Sequence, residues 1–284
     1  MALAALFAAA VTALGPQQKA ALLVVSGLPA PQGVGGVLVQ RWTSNYEWNS
    51  DAIVFADQEG GDVRALRGLP PARPASAYRS AADARAAGRA VGRALRAAGV
   101  DVDLAPVLDA PDGPLGSRHF RRAELGLAFA RGLHEGGSHA CVKHFPGLGT
   151  ARISTDAEPH VDAHVRSSEV GAFGSAIRAG VQCVMTSNAF YDGAPYRATI
   201  SSDTYRRLRG LGFEGIAITD SLSIVRRAPV ERWARSAVLA GADLVLFTSP
   251  AQARRAIAAL TPLARSGALD GHVARVLAFR ARLG

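Results

Sequence analysis

Lysine is nearly missing from this chain. Lys19 and Lys143 are the only two among 284 residues, so the formal net charge of +9 rests almost wholly on arginine. The arginines are spread through Ala/Arg/Gly stretches such as 79–98 and 252–265. None of these stretches reaches the run of about five or six like charges that marks a nucleic-acid-binding tail, and no nucleic-acid partner is expected. Cysteine is as scarce. Cys141 and Cys183 lack the close spacing that a zinc site needs, and both fall in apolar runs. A free cysteine in such a place behaves as a small hydrophobe, so two buried thiols are expected. No glycine pair has the strand–GxGxxG–helix arrangement of a dinucleotide site. Neither a metal nor an organic cofactor is expected.

Long apolar runs are also lacking, which excludes an integral membrane span. Residues 2–13, Ala-Leu-Ala-Ala-Leu-Phe-Ala-Ala-Ala-Val-Thr-Ala, are too short to cross a bilayer. They read either as an opening helix packed beneath the fold or as the remnant of a signal peptide whose basic flank is missing. The first reading goes with a cytoplasmic location, the second with export or attachment to the envelope. No Pro/Ser linker, composition break or internal repeat divides the rest. The expected organisation is an apolar segment at 1–15 followed by one domain over 16–284.

With 49% of its residues hydrophobic, the chain can fill a sizeable core. Eight short apolar runs punctuate it: 21–26, 36–39, 52–56, 102–105, 140–142, 183–186, 216–219 and 242–247. Between most of them lie stretches of helical period, among them 81–98, 123–135, 170–179 and 232–240. Strands alternating with helices imply parallel strands joined by right-handed crossovers. Eight such units fit a single (β/α)8 barrel of the TIM type better than an open doubly wound sheet. The link between the first two strands, Gly27 to Gly35, leaves little room for a helix, and the barrel is expected to be irregular there.

In such a barrel, ligand-handling groups sit on the loops that follow the strands. The strand exits carry Asp57-Gln58-Glu59-Gly60-Gly61, Asp109, Lys143-His144, Ser187-Asn188 and Asp220-Ser221 in turn. Taken singly, an Asp after a strand is more often a helix N-cap than a catalyst; their convergence on one rim points to a site. Residues 141–149, Cys-Val-Lys-His-Phe-Pro-Gly-Leu-Gly, put a cation and an imidazole where an apolar strand runs into a Pro/Gly turn. A buried lysine needs a counter-ion, and Asp57 is the natural one. Trp42 and Trp48, flanking Asn45-Tyr46, serve either as stacking surfaces for a ligand or as packing. His119, His134, His139, His164 and His272 form no pattern and are expected mostly on the surface or in loops.

The segment Lys143-His144-Phe145-Pro146-Gly147-Leu148-Gly149 closely resembles the KHFPG(H/L)G signature of glycoside hydrolase family 3, in its bacterial β-N-acetylglucosaminidase branch. Asp57 to Gly61 resembles the DQEGG motif of that family, and Val102 to Asp109 is similar to its (V/I)N(L)APV(A)D strand. Gly116-Ser117-Arg118-His119-Phe120 is similar to its GxR(S/A)F segment, and Phe213 to Leu222 to the GFxGVxxxDxL segment that carries the nucleophile. The resemblance implies a retaining exo-acting glycosidase for β-linked amino sugars, such as peptidoglycan fragments. A carbohydrate is then the substrate and Asp220 the nucleophile. Asp57, Arg118, Lys143 and His144 would hold the sugar. Retaining hydrolysis also needs a group to protonate the leaving oxygen, and here the chain departs from the branch, whose loop carries an Asp-x-His dyad. Asp156 matches the orienting Asp, but Glu158 stands at the His position and His160 lies two residues further on.

Three readings remain for that loop. Glu158 is the acid if burial keeps its carboxyl protonated near neutrality. Alternatively His160 swings in to pair with Asp156, since an imidazole titrates near neutrality without help. Or no acid is placed, and the site binds sugar with little turnover. Asp62 and Ala65 also replace the two arginines that usually follow DQEGG. Two other functions stay open beside the leading one: a different β-glycosidase or a glycoside phosphorylase, and a non-catalytic carbohydrate-binding homologue.

Overall fold

A computed structural model describes residues 2–48, 51–224 and 229–283. Eight parallel strands follow one another round a sheet that is nearly closed: β1 (Val24–Gly27), β2 (Gly36–Val39), β3 (Ile53–Ala56), β4 (Val102–Asp103), β5 (His139–Phe145), β6 (Cys183–Thr186), β7 (Ile216–Thr219) and β8 (Val245–Phe247). β8 pairs with β1, and the ring is completed between β7 and β8 by the bridge Ile218–Leu244. Nearly every strand residue is buried, as expected where parallel strands are covered on both faces. All eight strands expected from the apolar runs are present, and the fold is the TIM-type barrel they imply. Its irregularity is also where the short link placed it. Among the described residues, neither the β1–β2 nor the β2–β3 crossover holds a helix.

The outer layer comprises α1 (Ala2–Ala13), α2 (Pro16–Leu22), α3 (Ala81–Ala97), α4 (Ala123–Glu135), α5 (Ser167–Arg178), α6 (Ser202–Gly210), α7 (Val230–Ala240), α8 (Pro250–Arg265) and α9 (Asp270–Arg280). α3 begins where Ser80 caps it, its hydroxyl accepting the Asp83 N–H at 3.1 Å. Its glycines then let it meet α4 closely. A Cβ on Gly88 would lie 2.1 Å from the Phe129 carbonyl, and one on Gly132 2.1 Å from that of Arg85. Arg85 and Arg89 complete the contact by gripping Glu135. α1 lies against α9, and Lys19 of α2 pairs with Asp270 of α9 at 2.7 Å. No described helix is long and apolar enough to cross a membrane.

At the closing seam, Asp243 is fully buried before β8. It accepts from Arg209 at 2.6 Å, Arg275 at 2.7 Å and the Ala217 N–H at 2.9 Å, and its other neighbour is His272 at 3.0 Å. Burial alone would raise its pKa, but these partners hold it below the usual carboxylate value. The expectation of two free thiols is corrected here. Cys141 and Cys183 are register partners on neighbouring strands, their Cα atoms 4.4 Å apart, and they form a disulfide. Adjacent strands bring paired residues within the span of an S–S bridge, a pairing that a sequence separation of 42 does not reveal.

Candidate active site

The rim is built from the strand exits upward. After β3, Gln58 is fully buried and staples its own loop. Its side-chain N–H groups donate to the carbonyls of Leu66, Leu69 and Pro70, and its carbonyl accepts the Leu66 N–H at 3.0 Å. Gly60 and Gly61 turn the chain at φ 109° and 58°, backbone that favours glycine. Side chains two apart on an extended segment share a face, so Asp57 and Glu59 point together into the barrel mouth.

Opposite them, β5 shifts its register against β6 between Val142 and Phe145. Regular alternation would turn Lys143 and His144 to opposite sides, yet with this irregularity both are buried, at 2% and 6% exposure. The Lys143 ammonium lies 2.6 Å from Asp57 Oδ1, the expected counter-ion, and also 2.6 Å from Glu59 Oε1. Arg118 then holds Glu59 with two bonds, Nε and Nη2 each at 2.8 Å from a carboxylate oxygen, the fork geometry that suits guanidinium to carboxylate. Burial would push the Glu59 carboxyl up, but Lys143 and Arg118 outweigh it and hold the pKa down at about 2. Burial lowers the Lys143 and Arg118 pKa values, and their carboxylate partners more than reverse that.

His144 is fixed from behind. Its Nδ1 lies 2.7 Å from Asp109 Oδ2, while Asp109 Oδ1 accepts the N–H groups of His144 and Leu148 at 3.0 and 2.9 Å. Burial works against the ionised Asp109, and His144 with the two backbone donors overcomes it, leaving the pKa lowered. Glu169 of α5 ties the next layer, one oxygen accepting from Ala110 and Gly149, each at 2.9 Å. Leu148, where the commoner signature has a second His, is buried in a small core with Val107, Val161 and Tyr191.

Asp220 directly follows β7 and is half-buried, its N–H donating to the Thr186 carbonyl at 3.0 Å and its Oδ1 accepting the Ser221 N–H at 2.7 Å. Helix α7 begins only at Val230, so Asp220 caps no long helix. Burial pushes its carboxyl up to about 6, Asp156 adding to that while His144, the Ser221 N–H and Lys143 oppose it.

The loop after β5 divides the predicted residues. Asp156 is exposed and reaches the site, 3.5 Å from Arg118 Nη1. Glu158 is exposed, and among the described residues no side chain holds its carboxylate. His160 is turned elsewhere. Its Nε2 lies 3.3 Å from Asp162, and its ring stacks on Phe190 with centroids 4.3 Å apart. Arg197 covers the same phenyl ring at 4.8 Å and donates to the Pro159 carbonyl. The structure thus joins Asp57, Lys143, Arg118 and Asp156, sets His144 and Asp220 beside them, and leaves Glu158 and His160 outside.

Asp62 is exposed, Ala65 is buried, and Arg64 is spent on the carbonyls of Gly61 and Arg67. Trp42 is 73% exposed, whereas Trp48 packs against the core. His119 lies in a loop but is buried, with neither ring nitrogen partnered among the described residues. Sequence reasoning missed Glu59, although the Asp-x-Glu spacing after β3 was the signal. It also missed Asp109 as the partner of His144, which no local spacing announces.

A family model described as the glycosyl hydrolase family 3 N terminal domain matches residues 39–279. A beta-hexosaminidase of Thioalkalivibrio sulfidiphilus is 34% identical, the match covering 73% of this chain and 68% of that protein. Among solved structures, a beta-N-acetylhexosaminidase from Beutenbergia cavernae superposes with a TM-score of 0.84 at 28% identity, over 94% of this chain and 99% of that one. A family 3 beta-N-acetylglucosaminidase from a Paenibacillus species superposes with a TM-score of 0.84 at 29% identity, over 95% of this chain and 63% of that one.

Proposed function

The chain belongs to glycosyl hydrolase family 3, and from that premise we propose that it is a retaining exo-β-N-acetylglucosaminidase with Asp220 as its nucleophile. Residues 16–284 act as one catalytic barrel, and 1–15 are an apolar addition to it. The observation that carries the reading is the position of Asp220, on a rigid strand end facing a rim already furnished with an ion-paired lysine and a buried histidine. A glycosidase needs its attacking carboxylate fixed and its sugar held by donors that leave no choice of pose. Asp57 and Lys143 are placed to meet vicinal hydroxyls, with the Arg118–Glu59 pair beside them. His144, its Nδ1 committed to Asp109, offers Nε2 to a further hydroxyl.

In the first step a carboxylate oxygen of Asp220 attacks the anomeric carbon as the glycosidic C–O bond breaks and a proton passes to the leaving oxygen. In the second, water attacks the anomeric carbon, its bond to Asp220 breaks, and a proton of that water passes to the same loop group, restoring the acid. We assign the proton to the loop that carries Asp156, Glu158 and His160. Glu158 needs only to turn inward, whereas His160 must first leave Phe190 and Asp162. Peptidoglycan fragments suit such an enzyme as substrates. A second reading, sugar binding with little turnover, is favoured by one observation: His160 stands stacked away from Asp156.

Hydrolysis of 4-nitrophenyl and 2,4-dinitrophenyl N-acetyl-β-glucosaminide, compared across wild type, Glu158→Gln and His160→Asn, separates these cases. The dinitrophenyl leaving group barely needs protonation. The true acid, when replaced, should therefore cost roughly 100-fold or more on the first substrate and little on the second. Wild type that turns over only the activated substrate would leave the loop without a working acid and favour the second reading.

A further inference from the structure

Asp103 ends β4 and is fully buried. Its Oδ1 accepts the backbone N–H of Gln58 at 2.9 Å, and Gln58 is the link between Asp57 and Glu59. Its Oδ2 is buried without a partner among the described residues. The charged groups facing it are the Lys143 ammonium from β5 and the carboxylates of Asp57 and Glu59 from the β3 exit. The cations there are already committed: Lys143 is shared by Asp57 and Glu59, and Arg118 pairs with Glu59 and, at 3.5 Å, with Asp156. A third carboxylate would be an excess negative charge out of reach of water. Burying an uncompensated charge costs far more than burying an unpartnered neutral oxygen. Protonation removes the charge and still leaves Oδ1 to accept from Gln58.

We infer that Asp103 is a positioning residue that holds the Asp57–Glu59 segment from beneath as a neutral carboxylic acid. Burial is the main cause that pushes its pKa up, to about 8, with Asp57 and Glu59 adding to it and the Gln58 N–H and Lys143 opposing. Only the identity of the ligand held by that segment depends on the glycosidase reading.

The test is thermal stability against pH for wild type and Asp103→Asn, with activity measured alongside. Because the folded pKa lies above that of an unfolded Asp, the stability Asp103 contributes is full below about pH 4 and is lost progressively as pH rises to about 8. Asn keeps the acceptor and does not titrate. The Tm of Asp103→Asn should therefore gain on wild type between about pH 4 and about pH 8, then stop gaining. A constant gap across that window would mean that Asp103 is ionised in the fold, and would overturn the inference whether or not any glycoside is cleaved.

In the activity arm, Asp103→Ala loses the acceptor and should lower kcat/KM by about tenfold or more. Asp103→Asn should rescue most of that loss. An Asn variant as impaired as the Ala variant would show that the negative charge is required, and would overturn the inference. A widening Tm gap with no turnover by any of the proteins would uphold the inference and remove the glycosidase reading instead.

Discussion

Replacing Asp220 by alanine is expected to lower kcat by roughly four orders of magnitude or more on both aryl N-acetyl-β-glucosaminides, because in the proposed mechanism it is Asp220 that forms the bond to the anomeric carbon. The activated leaving group does not rescue it, which distinguishes loss of the nucleophile from loss of the acid. The wild-type pH profile should carry the same signature. A nucleophile works only when ionised, and burial holds the Asp220 carboxyl up at about 6. Below that pH, kcat/KM should fall about tenfold per unit. Glu59, held at about 2, and Asp109, also lowered, stay ionised across that range, so the acid limb reports Asp220. A profile flat down to about pH 4, the ordinary carboxylate range, would remove Asp220 from the role.

Lys143→Ala should be the most damaging substitution for the fold and the site together. Its ammonium is 2% exposed and sits 2.6 Å from each of two carboxylates. Without it, Asp57 and Glu59 face one another with Arg118 as their remaining cation. Breaking a buried ion network by removing one partner costs about 3–5 kcal/mol, to be read from urea unfolding midpoints. The lost hydrogen bond to the sugar should lower kcat by roughly 100- to 1,000-fold. An Ala variant of wild-type stability would show that the two carboxylates are not held as charges by Lys143.

The barrel was legible because each buried parallel strand is a short apolar run closed by Gly, Pro or a polar exit, as at Ile216–Asp220 and Cys141–Gly147. The absence of a first helix was legible from the nine residues Gly27 to Gly35 alone. The site was legible as a set of exits and less so as a set of partners. Asp57 was matched to Lys143 by charge, but Glu59, two residues further along the same strand exit, takes an equal share of the ammonium and the Nε and Nη2 bonds of Arg118. Asp109 and Glu169 brace the site through backbone N–H groups 35 and 59 residues distant, which no window of sequence displays. The resting place of His160 follows from Phe190 and Asp162, and choosing Asp162 over Asp156 takes the folded loop. The Cys141–Cys183 bridge depends on the register of two neighbouring strands.

The most direct test of the account is peptide mass mapping after an acid quench during turnover of the 2,4-dinitrophenyl N-acetyl-β-glucosaminide. A retaining mechanism predicts one N-acetylhexosaminyl group on the peptide containing Asp220, absent when Asp220 is alanine. A label on another residue, or turnover in which the product first released has the inverted α configuration, would contradict it.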